Sequence, residues 1–222
     1  MKLALFDLDH TLLPLDSDYA WGQFTVALGW RDAESHTRAN DAFYEQYKAG
    51  TLDIAEYVRF ATGAVREQGM AKSNAAHQRF MAEVIRPAMH ASAIDLVREH
   101  QAAGDTVVII TATNEFVTRP IAEAFGVSEL IAVDLQRDAK GVPTGEIRGT
   151  PSFREGKVAR MEQWLVERGL SWAHVTHSSF YSDSINDLPL LEKVQEPVAT
   201  NPDARLQAIA TERGWRVLNL FE

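Results

Sequence analysis

The hydrophobic pattern changes character twice along the chain. Residues Lys2–Phe6 form a short apolar run that stops at Asp7-Leu8-Asp9, as expected of a buried parallel strand ending at a polar edge. From residue 17 to about 89, apolar positions recur at helical spacing, as in Tyr19, Trp21, Phe24, Val26 and Leu28. Gly50 and Gly69 punctuate this stretch, Asp53 offers a helix cap, and Pro87 closes it. Three or four helices and no strand are expected there. The aromatic set Trp21, Phe24, Trp30, Phe43, Tyr44 and Tyr47 is expected chiefly to form the core of this helical stretch, with some members free to line a substrate pocket.

Beyond Pro87 the pattern alternates. Helices are expected over 91–103, 115–125, 154–168 and 203–213, the first three ended by Gly104, Gly126 and Gly169. Between them lie β-branched or apolar runs at 106–110 and 130–135, a weaker strand at 176–182, and the closing strands "PVAT" and "WRVLNL". Strands separated by helices imply parallel βαβ units and a doubly wound α/β sheet. The segment "DAKGVPTGEIRG" breaks the rhythm with closely spaced Gly and Pro, and reads as a β-hairpin excursion. The expected organisation is an α/β core over 1–16 and 88–222, with a helical cap inserted over 17–87.

Composition adds mainly exclusions. The 222 residues with 45% hydrophobic content suffice for one large domain or a domain with an insert, and argue against disorder. A formal net charge of -9 is unsuited to a broad nucleic-acid surface. The absence of cysteine removes disulfides, thiolate metal sites and cysteine nucleophiles. The seven histidines form no HxH or HExxH pattern, which disfavours zinc. No apolar run approaches the ~20 residues of a membrane span, and Asp7 interrupts any signal-like stretch, so the cytoplasm is the expected compartment.

The polar clusters fall at the strand ends. Asp7 and Asp9 end the first strand, Thr111 and Ala112 the "TVVII" strand, and Asp183, Asn186 and Asp187 follow the strand through Phe180. Lys157 sits near the start of a flanking helix. Ligands of doubly wound sheets bind beyond the carboxyl ends of the strands, so these groups are expected to share one crevice. Four carboxylates and one ammonium call for a cation, and hard oxygen donors favour Mg²⁺. A carboxylate nucleophile beside Mg²⁺ suits phosphoryl transfer through an aspartyl-phosphate. A second acid two residues on can protonate the leaving alkoxide and then activate water. Thr111, backbone amides such as that of Ala112, and Lys157 would hold the equatorial oxygens. Taken singly, each motif has an ordinary reading: Asp9 as a helix cap, Lys157 as a surface lysine, "DSINDLPLL" as a loop. In order, each at its own element end, they favour catalysis.

These residues make the chain resemble the haloacid-dehalogenase-like hydrolases. "FDLDHT" is similar to the family's DxDxT motif, Thr111 to its strand-end Ser/Thr, Lys157 to its lysine and "DSINDLPLL" to its DxxxD motif. The helical insert and the hairpin resemble the phosphoserine-phosphatase-like branch, with a Rossmann-like core and a C1-type cap. The resemblance implies Asp7 as nucleophile and Asp9 as acid/base, with Asp7, the Asp9 carbonyl and Asp183 binding Mg²⁺. It implies that Asp187 acts through metal waters and Lys157, and that Asn186 lies near the phosphate. Tyr181-Ser182, Ser184 and His10 stand where relatives often carry glycine or a smaller residue. They bear on substrate fit, since no reacting group is lost.

Asp16 and Asp18 have two readings. One of them, or Ser17, caps the first insert helix, or one faces the site and binds a substrate cation. The resemblance favours Asp16 for a substrate amine and offers Arg59 for a substrate carboxylate, with Arg31, Arg38 and Arg66 competing. The expected activity is Mg²⁺-dependent hydrolysis of a small phosphorylated metabolite such as phosphoserine or histidinol phosphate. A phosphotransferase using the same phospho-Asp, or a non-catalytic binding protein on this scaffold, are the rival readings. Oligomeric state is not legible.

Overall fold

The computed structural model describes residues 1–221. After β1 (Lys2–Phe6) come α1 (Ser17–Ala27), α2 (Ala33–Ala49), α3 (Ile54–Ala61), α4 (Gly63–Gln68), α5 (Met70–Phe80), a π-helical turn over Met81–Ile85, and α6 (Arg86–Ala88). There follow α7 (Ala91–Ala102), β2 (Thr106–Asn114), α8 (Glu115–Ala124), β3 (Glu129–Val133), β4 (Leu135–Arg137) and β5 (Pro143–Ile147). The chain closes with α9 (Glu155–Val166), β6 (His177–Ser182), α10 (Leu188–Leu191), β7 (Glu196–Thr200), α11 (Ala204–Arg213) and β8 (Arg216–Leu218).

Six strands form one sheet in the order β3-β2-β1-β6-β7-β8, every neighbouring pair parallel. This is the doubly wound, Rossmann-like α/β arrangement that the strand–helix alternation predicts. The alternation within β1 divides the core. Ala4 and Phe6 face a cluster with α7, α8 and the insert helices, while Leu3 and Leu5 face one with α9, α10 and α11. Asp16, Asp32, Asp53, Asn114 and Asp203 each cap a following helix by accepting backbone N–H groups.

Three details depart from the sequence reading. The stretch 130–135 is not one strand, because the chain leaves the sheet at Asp134. The Asp134 carboxylate and the Ala132 carbonyl are held by Arg160 (3.0 and 3.2 Å), and Leu135 opens the antiparallel β4–β5 pair. β2 runs on to Asn114, so Thr111 and Thr113 project from the same face of one strand. The insert holds more helices than three or four. The Thr62 hydroxyl caps back onto the Val58 carbonyl (2.6 Å) between α3 and α4, and Gly69, at φ 75°, redirects the chain into α5.

The insert shares its core with the sheet domain. Trp21 of α1 packs 5.4 Å from Phe80 and 5.6 Å from Phe116 of α8, and His77 lies 5.2 Å from Phe116. The hairpin reaches over from the other side, pairing Glu146 with Arg59 of α3 at 3.1 Å. Among the described residues, no helix is long and apolar enough to cross a membrane.

Candidate active site

The end of β1 is fixed by a backbone bond from the Asp7 N–H to the Tyr181 carbonyl (2.9 Å), which extends the β1–β6 ladder by one residue. The Asp7 carboxylate therefore emerges beyond the carboxyl edge of the sheet, between β2 and β6. Lys157 Nζ, 1% exposed as a residue, donates to Asp7 Oδ1 at 2.9 Å and to Asp187 Oδ2 at 2.6 Å. Asp187 also accepts from the Ser182 hydroxyl (2.7 Å). Thr11 Oγ1 donates to Asp183 Oδ1 (3.1 Å) and accepts the Asp183 N–H (3.0 Å), locking the first motif to the fourth.

Asp9 leaves the same loop in another direction. Its Oδ1 accepts the Ser17 N–H (2.7 Å) and its Oδ2 the Thr113 hydroxyl (2.8 Å). Burial, and then neighbouring Asp16, push its carboxyl up to about 6 against these donors, a range suited to giving and taking a proton near neutrality. The loop is braced from just past β7, where Asn201 Nδ2 donates to the His10 and Thr11 carbonyls (3.0 and 3.2 Å). Lys157 is aimed by a tight approach to α9. A Cβ on Gly156 would lie 2.0 Å from the Pro151 carbonyl oxygen, so only glycine fits. The Ser152 hydroxyl ties that loop to the Thr111 carbonyl (2.6 Å).

Charge in this crevice is unbalanced. Lys157 loses solvation by burial, yet Asp187 and Asp7 outweigh that and hold its ammonium above its usual value. Burial raises Asp7 and Asp187, the latter to about 6, despite Lys157; burial, then Asp7 and Asp187, raise Asp183 well above its ordinary value. One ammonium facing three carboxylates leaves an excess of negative charge that a hard cation would offset. Among the described residues no three carboxylate or imidazole side chains close on one point. A small hard divalent cation does not require that, since one or two carboxylates with a carbonyl, waters and substrate oxygens suffice. The oxygen-only donor set at Asp7, Asp183 and the Asp9 main chain fits such an ion.

Above Asp7 and Asp9 lies a pocket walled by the insert. Phe43, Tyr44 and Tyr47 of α2, Tyr19 of α1 and Tyr57 of α3 line it, with Thr111, Ala112 and Thr113 from β2. The aromatic set thus divides: Trp21 and Phe24 are core, whereas Phe43, Tyr44 and Tyr47 face the pocket. Asp16 caps the first insert helix and also faces the pocket. Its Oδ1 caps α1 through the Asp18 and Tyr19 N–H groups (3.0 and 2.8 Å), and its carboxylate lines the pocket, raised by burial and by Asp7. Arg59 is not brought to the site, because it is exposed on α3 and engaged by Glu146. The Asn186 side-chain amide donates to the Tyr47 carbonyl (3.0 Å), placing it between the insert and Asp187.

Asp18 lies behind the pocket wall, bonded by Asn114 Nδ2 at 3.2 and 3.3 Å and facing the Tyr57 hydroxyl. Burial, then Asp16, push it up to about 7 from an ordinary value of 3.8. The folded protein therefore keeps a proton that the unfolded chain gives up, so stability falls as pH rises between 3.8 and about 7, and the loss is complete above that. Asp18→Asn is expected to be more stable than the parent by roughly 2–4 kcal/mol near about pH 8.5, the gap closing toward about pH 4. Urea unfolding at both pH values measures this, and a gap independent of pH would contradict the assignment.

Sequence reasoning missed the hydroxyls and amides that aim the acids. Thr113 is legible afterwards from strand alternation with Thr111. Ser182, noted only as a departure from glycine, turns out to hold Asp187. Asn201 gave no local signal.

The chain matches the haloacid dehalogenase-like hydrolase family over residues 4–192. A histidinol-phosphatase of Neisseria meningitidis is 44% identical over 218 residues, covering 98% of each chain. A crystal structure from Bordetella pertussis, described as of unknown function, superposes with TM-score 0.93 at 50% identity, covering 99% of both chains. A substrate-bound phosphoserine phosphatase superposes with TM-score 0.67 at 16% identity, covering 98% of this chain and 92% of the other, a likeness of fold.

Proposed function

The chain belongs to the haloacid dehalogenase-like hydrolases and is a phosphoric-monoester hydrolase, and from that premise we propose that its substrate is histidinol phosphate. The observation that carries this is the makeup of the pocket. Asp16 stands in the wall beside Asp7 and Asp9, the other walls are largely aromatic, and among the described residues no arginine or lysine lines it. Such a pocket favours a cationic amine and a flat ring, and offers nothing to a substrate carboxylate such as that of phosphoserine. His10 Nε2 is buried in the pocket lining with no hydrogen-bond partner among the described residues, ready for a substrate N–H or O–H. The Neisseria relative's name agrees.

In the proposed reaction an Asp7 carboxylate oxygen attacks phosphorus as the ester P–O bond breaks, and Asp9 gives its proton to the leaving alkoxide. Asp9, now ionised, takes a proton from water as that water attacks the aspartyl-phosphate. The P–O bond to Asp7 breaks, freeing phosphate and restoring the Asp7 carboxylate beside a protonated Asp9. Lys157, Thr111 and the Ala112 N–H hold the oxygens of the transferring group, Asn186 approaches from the insert side, and Asp187 keeps Lys157 aimed. Mg²⁺, held by Asp7, Asp183 and the Asp9 carbonyl, would supply positive charge for the phosphate oxygens. The helical insert over 17–87 acts as the cap that excludes bulk water.

The test is phosphate release from a metabolite panel with Mg²⁺. Histidinol phosphate is expected to exceed phosphoserine by at least about 100-fold in kcat/KM, because the pocket would leave a carboxylate unpaired. Asp16→Asn is expected to raise KM for histidinol phosphate by about 10–100-fold while sparing p-nitrophenyl phosphate. Equal losses on both substrates would remove Asp16 from recognition. Mg²⁺ is expected to raise the melting temperature of the substrate-free protein and to do so much less in Asp183→Asn. A shift that survives that substitution would place the ion elsewhere.

A further inference from the structure

Helix α2 ends over the carboxyl edge of the sheet, and its last carbonyls are taken by side chains of the core. Asn186 Nδ2 donates to the Tyr47 carbonyl at 3.0 Å, Arg205 Nη2 to the Lys48 carbonyl at 2.5 Å, and Arg154 Nη1 to the Gly50 carbonyl at 2.9 Å. A helix end leaves carbonyls short of intrahelical partners, although that of Tyr47 also accepts the Gly50 N–H (3.0 Å), and Gly50, at φ 72°, makes the left-handed turn that closes this one. Two guanidinium groups at a helix C-terminus also meet the negative end of its dipole.

The donors come from three separate elements, and each is wired to a site residue. Asn186 adjoins Asp187. The Arg154 carbonyl accepts the Lys157 N–H (3.0 Å) in the first turn of α9. Arg205 follows Asp203, whose N–H donates to the Asp183 carbonyl (2.8 Å) and whose carboxylate accepts the Ile185 N–H (3.3 Å). Phe153, one residue before Arg154, packs its ring 6.0 Å from that of Tyr47.

The backbone at Arg154 gives the second, independent observation. It sits at φ 54° and ψ −124°, a conformation costly for any side-chain-bearing residue and easy for glycine. Such strain persists only where the surroundings hold it, and here the Arg154 guanidinium is held on the Gly50 carbonyl.

We propose that Arg154 and Arg205 are positioning residues that clamp the last turn of α2 onto the core, and so register the aromatic pocket wall against Asp7, Lys157 and Asp183. Neither touches the reacting atoms. Their bonds are solvent-accessible and individually weak, as a clasp that must open each turnover requires.

Arg154→Gly separates this role from a structural one, because it relieves the backbone while removing the donor. It is expected to melt no lower than the parent, yet to lose about tenfold in kcat on p-nitrophenyl phosphate with KM little changed. Arg154→Lys keeps a donor and is expected to recover most of that loss. In the Arg154→Gly, Arg205→Ala double variant, amide exchange over 44–52 is expected to quicken by about tenfold, with β1 and β6 unchanged. Parental kinetics in Arg154→Gly, unchanged exchange over 44–52, or exchange quickened equally through the sheet would each overturn the proposal. The exchange measurement needs no turnover, and p-nitrophenyl phosphate does not depend on the histidinol phosphate assignment, so the two proposals fail separately.

Discussion

Asp7→Asn is expected to abolish phosphate release, by at least about four orders of magnitude, while leaving the fold intact. The substitution keeps the shape of the side chain and an acceptor for Lys157, but an amide oxygen is too poor a nucleophile to attack phosphorus. It also removes one of three carboxylates that burial already disfavours in charged form, so the melting temperature is expected to hold or rise. Purified protein assayed with p-nitrophenyl phosphate and histidinol phosphate checks both halves. Turnover above about one per cent of the parent, once deamidation back to Asp is excluded by mass, would sink the covalent route.

Lys157→Met is expected to cost both activity and stability. The side chain is 2% exposed and bonded to two carboxylates, so its loss leaves Asp7 and Asp187 facing each other without a counter-charge. Breaking a buried pair from one side typically destabilises by about 3–5 kcal/mol, and loss of the cation beside the phosphate is expected to cost about a thousandfold in kcat. The stability loss has a direction in pH. Burial already raises Asp187 to about 6 with the lysine present, and without it the folded state holds that proton still more tightly. The penalty therefore grows as pH rises and is least in acid. Urea melts of Lys157→Met near about pH 5 and about pH 8 should show the larger deficit at the higher value. Adding Asp187→Asn is expected to restore stability without restoring turnover, and a double variant as unstable as the single would break this account.

Much of this arrangement was legible because the sheet announces itself locally. Lys2–Phe6 is apolar and stops at Asp7, and most later strands are apolar or β-branched runs between helices of ordinary length, so the parallel core followed from periodicity, with polar clusters marking its carboxyl edge. The order of Asp7, Asp9, Thr111, Lys157 and Asp183 then sufficed to assemble the crevice. What stayed hidden depends on which face of an insert helix turns toward the sheet. Phe43, Tyr44 and Tyr47 look like core residues of α2 because their spacing is helical, yet they wall the pocket. Arg59 looked available for a substrate, but the hairpin supplies Glu146 from 87 residues away. Asn201 braces the first motif from 191 residues off, a distance at which no local pattern speaks.

The aromatic cluster in which Trp21 meets Phe80 and Phe116 bears on how such an enzyme changes its diet. Helices α1 and α5 are bonded to the sheet domain by shared burial, so excising the whole insert would strip both halves of their common interior. The segment from 33 to 61 is different: it carries Phe43, Tyr44, Tyr47 and Tyr57 while contributing only Val58 to that interior. A graft confined to it would exchange much of the pocket wall and leave the interior shared by the two halves in place.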